Sequence, residues 1–259
     1  MTPLSIAPLC ETSGMLADPR TLVARAHDEG YLFFHDLVPR SVVDTLRDVA
    51  LGLADDLGWL AQDGPCAAGL ATPGLALGAY DDPRWVRFLT RVLPHPAFAA
   101  LRDEPALRRV VEALLGGPAD NSAGDVCRVV SGDDPPHTTP PHQERHYVRG
   151  EGWLWTAWLP LGDCPLSLGP LAILPRSHRQ GLLPHEDGHT PHPSVPVRDD
   201  ALWLASDLVP GDVIFFSGLT VHRALPHQNG RRLRLSADFR FQRGDGRVPI
   251  VRAQTETSP

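Results

Sequence analysis

Apolar positions recur at helical spacing through the first third of the chain. Asp18-Pro19 reads as an N-cap followed by a first-turn proline, and Leu22, Val23 and Ala26 then share one face up to Gly30. Tyr31 to Val38 is a continuous apolar run of strand length. Pro39 opens a second helix, with Val42, Val43, Leu46, Val49, Ala50, Leu53 and Leu57 in register. Residues 60–80 are rich in Gly, Ala and Pro and read as loop. Two further helices are expected near Pro83–Leu93 and Glu104–Leu115, the second stopped by Gly116-Gly117.

The period changes after Gly117. Short apolar or alternating runs follow at Val126–Ser131, Trp153–Leu161, Leu171–Leu174, Ala201–Ala205, Val213–Ser217 and Leu233–Phe241, each bounded by Gly, Pro or Asp. This series predicts an antiparallel sandwich or barrel. Leu183 to Asp200 carries three histidines and four prolines, the pattern of a long surface loop. No linker interrupts the pattern. The expectation is a mainly β chain with flanking helices in a single domain over residues 1–259, residues 1–117 being mainly helical and 118–245 forming the β core.

Composition narrows the chemistry. With 259 residues, 42% hydrophobic and 21% charged, the chain can bury a full core. Its net charge of −7 argues against an extended surface for nucleic acid or anionic membrane. All 24 basic residues are arginine, which excludes a lysine Schiff base and a phosphate-binding lysine loop. Any anion must therefore be held by arginine, backbone N–H or metal. The four cysteines have no paired spacing, the N-terminus has no secretory pattern, and no run is long enough to span a membrane. A cytoplasmic location is the expectation.

His142-Gln143-Glu144 places an imidazole and a carboxylate two residues apart. In extended backbone they point the same way and can reach one ion. A second histidine from a distant strand would complete a two-His-one-carboxylate face. The short motif is weak alone: 12 histidines and 31 acidic residues in 259 give about 1.4 such pairs by chance, and the chain has three. His27-x-Glu29 lies in a predicted helix, where positions i and i+2 diverge. His185-x-Asp187 sits in the proline-rich loop. Only His142-x-Glu144 precedes a strongly patterned strand.

Three blocks taken together resemble the phytanoyl-CoA dioxygenase family of Fe(II)/2-oxoglutarate oxygenases. They are HQERHY (142–147) followed by AWLPL, LGPLAILPRSHRQGLLPH (168–185), and PGDVIFFSGLTVHRA (210–224) followed by RRLRLSADFRF. The resemblance implies a double-stranded β-helix, the cupin-like jelly roll, with helices outside. It implies Fe(II) held by His142, Glu144 and His222, with glutamate where the family usually has aspartate; the carboxylate argues against a halogenase. It implies 2-oxoglutarate and O2 as co-substrates, with an arginine for the distal carboxylate about ten residues after the last histidine. Arg232 is preferred there for its distance to Ser236 and Phe239, and Arg234 is second because Arg-x-Ser resembles the anchor of other 2-oxoglutarate enzymes. Trp158 and Gln143 match positions near the co-substrate, and Arg128, His146 and Tyr147 are candidates for contact with substrate. His178 is expected to stabilise its loop. The activity implied is oxidation, by default hydroxylation, of a small molecule, with a natural-product intermediate as the expected substrate. A metal-dependent hydrolase and a non-catalytic binding module on the same scaffold remain the alternatives.

Overall fold

A computed structural model describes residues 4–244 except 76, 78–81, 122, 133–137, 149–151, 188–191 and 229. Among the described residues, five α-helices precede the main run of strands: α1 (Pro19–Glu29), α2 (Arg40–Asp56), α3 (Pro83–Val92), α4 (Pro96–Arg102) and α5 (Pro105–Leu115). The Asp18 carboxylate caps α1 by accepting from the Arg20 and Thr21 amides. Gly30 ends that helix at φ +81, where a Cβ would meet the His178 ring and the Thr220 hydroxyl. α4 was not anticipated; its proline start is capped by His95 Nδ1, which accepts from the Ala97 amide. Among the described residues no helix is long and apolar enough to cross a membrane.

Two sheets face one another. The larger contains β2 (Tyr31–Phe34), β3 (Ala119–Asp120), β4 (Val126–Val130), β5 (Leu154–Pro160), β8 (Val213–Ser217) and β10 (Arg234–Arg243), in the order β2-β8-β5-β10-β3 with β4 also on β10, all antiparallel. The smaller runs β1 (Ser5–Ala7), β7 (Leu202–Leu204), β6 (Leu171–Ile173), β9 (His222–Ala224), with only the β1–β7 pair parallel. This is a jelly roll with helices on the outside of the larger sheet. The mainly helical first 117 residues thus also lend a strand to each sheet. The strand predicted over Tyr31–Val38 stops at Phe34, because Asp36 turns the chain at φ +47. β9 is three residues long, too short to show a period.

Strand alternation sorts the core. Leu32, Phe34, Trp155, Ala157, Val213 and Phe215 face the helices in one cluster with Leu46, Trp59, Phe88 and Phe98. Their neighbours Tyr31, Phe33, Trp158, Ile214 and Phe216 face inward, between the sheets. β10 follows the same rule with different chemistry. Leu235, Ala237, Phe239 and Phe241 join the helix-packed cluster. Arg234, Ser236, Asp238, Arg240 and Gln242 occupy the opposite face, and all but Arg240 are fully buried. Burying such a row is costly unless each group has a partner, so this face marks where the barrel interior is built for polar ligands.

Candidate metal centre and adjoining cavities

His142 and His222 are brought together by the backbone. Each donates its amide to the other's carbonyl, at 2.9 and 3.0 Å, which prolongs the smaller sheet by one bridge. The turn before His222 is tied to the end of α1 by the Thr220 hydroxyl, which donates to Gly30 O at 2.7 Å. Gln143 is extended (φ −122, ψ 136), so Glu144, the first residue of the short helix α6 (Glu144–Tyr147), returns to the same side as His142. The three side chains are fully buried, and their donor atoms lie within 4.8 Å of one another.

The hydrogen bonds aim these donors. His142 Nδ1 lies 2.9 Å from Pro140 O and His222 Nδ1 lies 3.0 Å from Thr220 O. With the proton on Nδ1 in each ring, both Nε2 lone pairs point into the cluster. Burial, and then the neighbouring His222 ring, push the His142 imidazole well below its ordinary pKa and keep it neutral. Burial also disfavours charge on Glu144, but Arg240, aided by His222, outweighs it and holds the carboxyl well below the usual range. Glu144 Oε2 accepts from Arg240 Nε at 2.7 Å, while Oε1 lies 3.5 Å from His222 Nε2. Two imidazoles and one carboxylate suit a divalent transition metal.

Two cavities open from this cluster and share Arg128, Thr139 and His142 as walls. The narrower, about 300 Å³, runs between the sheets past His222, Trp158 and Phe216 to Arg234 and Asp238. The wider, about 610 Å³, is walled by Leu89, Val126, Tyr147, His192 and Arg240. Arg128 Nε donates to Asp238 Oδ2 at 2.7 Å. Ser236 Oγ and Asp238 Oδ1 are buried with no hydrogen-bond partner among the described residues.

The structure separates the residues expected at the site. Arg234 is buried and lines the narrow cavity, whereas Arg232 precedes β10, is 37% exposed in its side chain, lies 3.9 Å from Asp163 and does not line that cavity, although both arginines border a second groove. Of the two arginines, Arg234 is the one that borders the cavity beside the histidines. Trp158 lines the narrow cavity, and Arg128 and Tyr147 line the wide one. Gln143 lines neither cavity and clips two loops together. Its amide donates to Gly181 O and Leu219 O at 2.9 and 2.6 Å and accepts from the Leu183 amide at 2.8 Å. The period of two that brings His142 and Glu144 together turns Gln143 the other way. His146 stacks on His185, with ring centroids 4.0 Å apart, and lines neither cavity. His178 Nε2 bonds His27 O at 2.9 Å, a loop-fixing contact. Asp238 and Arg240 were not anticipated. Their signal is the polar alternation of β10, which continues eight residues past Arg234, to Gln242.

A jelly roll with a buried His-Glu-His cluster beside a cavity that ends in a buried arginine defines the non-haem iron, 2-oxoglutarate class of oxygenases. This chain belongs to the phytanoyl-CoA dioxygenase (PhyH) family, whose sequence profile matches residues 26–235. It is similar to the 1-deoxypentalenic acid 11-beta-hydroxylase of Streptomyces exfoliatus, 26% identical over 245 residues, covering 88% of this chain and 82% of the relative. The enzyme of the same name from Streptomyces arenae is also 26% identical, with the same coverage. Among solved structures it shares its fold with the epimerase SnoN in complex with Fe3+, alpha ketoglutarate and nogalamycin RO (TM-score 0.64, 19% identity, 94% and 92% of the two chains). It also shares it with EvdO2 from Micromonospora carbonacea var. aurantiaca complexed with 2-oxoglutarate (TM-score 0.58, 20% identity, 92% and 94%). The protein is accordingly an enzyme of a dioxygenase family, with His142, Glu144 and His222 grouped so that they could hold a metal ion.

Proposed function

We propose that this enzyme hydroxylates a C–H bond of a small natural-product intermediate. Fe(II) would be held by His142, Glu144 and His222, and 2-oxoglutarate would be anchored by Arg234. The observation that carries the reading is the narrow cavity, which joins the His142–His222 pair at one end to a buried guanidinium at the other. The residues present fit both groups. Each imidazole spends its Nδ1 on a backbone carbonyl and keeps Nε2 for a metal. The Ser236 hydroxyl, buried without a partner among the described residues and two positions from Arg234 on the same strand face, offers a second donor for a distal carboxylate. Arg234 suits that carboxylate because a planar guanidinium can bind it through two parallel hydrogen bonds.

When bound, iron with 2-oxoglutarate and O2 supplies the oxidant for the C–H bond. The chain's own residues hold and shield. Trp158 and Phe216 wall the co-substrate cavity, and Leu89 and Val126 give the wider cavity an apolar side for a hydrocarbon skeleton. Tyr147 and His192 offer polar contacts for orientation there. Glu144, Arg128, Asp238 and Arg240 form two ion pairs across the walls, so the wide cavity itself carries little net charge. The two similar hydroxylases are named for a natural-product acid, which supports the substrate class.

Anaerobic addition of 2-oxoglutarate to the Fe(II) protein should produce a weak visible charge-transfer band. Its absence at saturating oxoacid would defeat the co-substrate assignment. Succinate release should be stimulated by cyclic natural-product intermediates, beginning with 1-deoxypentalenic acid. Stimulation by primary metabolites alone would defeat the substrate class.

A further inference from the structure

Glu144 and Arg240 form a buried ion pair between residues 96 positions apart. Oε2 of the carboxylate accepts from Arg240 Nε at 2.7 Å, and the other oxygen, Oε1, is the one that faces His222. The guanidinium is itself held. Its Nη1 donates to Gly124 O at 2.7 Å, and the Arg240 amide donates to Asp125 Oδ1 at 3.2 Å. On β10 the residue lies across from Thr156, on the polar inward face, and it forms part of the wide cavity's wall. The Glu144 side chain is 1% exposed and that of Arg240 12%, so water does little to weaken the pair.

A glutamate ligand has one more rotatable bond than an aspartate, and fixing it has an entropic cost. Its carboxylate can also swing to offer both oxygens to one ion. We infer that Arg240 is a positioning residue for Glu144. The ion pair commits Oε2 to the guanidinium and leaves Oε1 as the single oxygen turned toward the histidines, so that the carboxylate ligates through one atom and other coordination positions stay open. An aspartate at position 144 is too short to serve both the metal and Arg240. This inference rests on the reading of Glu144 as a metal ligand.

A double-mutant cycle tests it, with Co(II) as the anaerobic probe. The readouts are the Co(II) dissociation constant and the visible d–d spectrum. R240Q should weaken Co(II) binding about 10–100-fold, the usual effect of losing a residue that holds a metal ligand. E144D should weaken it too. The E144D/R240Q protein should bind within about threefold of the weaker single variant, because both changes remove the same contact. R240K keeps the charge, but an ammonium lacks the fork that spans Gly124 O and Glu144 Oε2. It should lose severalfold in affinity and alter the d–d spectrum, and it serves as the variant of record if R240Q does not fold. Additive losses in the cycle would overturn the inference. So would an Arg240 variant that lowers the melting temperature but binds Co(II) like the parent. Unchanged Co(II) binding in H142A and H222A would instead overturn the metal reading itself, so the two failures are told apart.

Discussion

Replacing Arg234 by methionine should cripple 2-oxoglutarate binding, whereas the same change at Arg232, two residues away, should leave it intact. Arg234 is 2% exposed and faces the narrow cavity from the first position of β10. A hydrogen bond to a charged partner contributes about 1.5–3 kcal/mol, so losing one such contact in a dry cavity corresponds to about a 10–150-fold rise in the oxoacid dissociation constant. Arg232 is more than one third exposed, and its nearest acid, Asp163, is 3.9 Å away and half exposed. Such a surface pair contributes about 0–1 kcal/mol and has no contact with the cavity, so R232M should stay within about twofold of the parent. The assay is anaerobic titration of the Fe(II) protein with 2-oxoglutarate, followed through the visible charge-transfer band, with thermal melting to verify folding. R234K should fall between, since lysine restores charge without the planar fork. Equal losses at both positions, or a larger loss in R232M, would refute the assignment and place the anchor outside the barrel.

Three other variants probe separate parts of the structure. S236A should raise the 2-oxoglutarate dissociation constant about 2–10-fold with no loss of stability, because its hydroxyl has no hydrogen-bond partner among the described residues to forfeit; a melting temperature that falls while oxoacid binding holds would show a structural role instead. Q143L strands the Gly181 and Leu219 carbonyls and the Leu183 amide, so it should lower stability by several kcal/mol, at about 1–3 kcal/mol for each orphaned group. Denaturant unfolding reads that loss, and near-parental stability would mean the clip is dispensable. Asp125 is pushed up to about 6 by burial, so its ionised form is disfavoured in the folded chain. Stability should therefore decline as pH rises from about 4 to 6 and level off above, by about 3 kcal/mol for this group. D125N should flatten that slope in urea titrations run across the range, and an unchanged slope would contradict the shift.

The legible parts of the fold were those with a local cause. Asp18-Pro19 and Gly30 bound α1 in sequence and in structure, and Val213–Ser217 is a strand in both. The histidine and carboxylate pair was legible because extended backbone turns i and i+2 the same way; the same rule turns Gln143 away from the cluster, a consequence first evident from its three bonds. His222 could be placed only by resemblance, since β9 is too short to carry a pattern. The choice between Arg232 and Arg234 depends on where β10 begins, and strand ends are set by pairing partners such as Val130 rather than by the strand's own residues. The alternation that would have identified Asp238 and Arg240 was present in the sequence. What it lacked was the distant partner, because nothing near Arg240 in sequence shows that Glu144 lies 2.7 Å from its guanidinium.

The most direct test of the metal centre is diffraction from crystals grown anaerobically with Fe(II), with data collected on both sides of the iron absorption edge. A single anomalous peak bounded by His142 Nε2, Glu144 Oε1 and His222 Nε2 is the predicted result. A peak elsewhere, or none among these three side chains in crystals shown by metal analysis to contain iron, would contradict it.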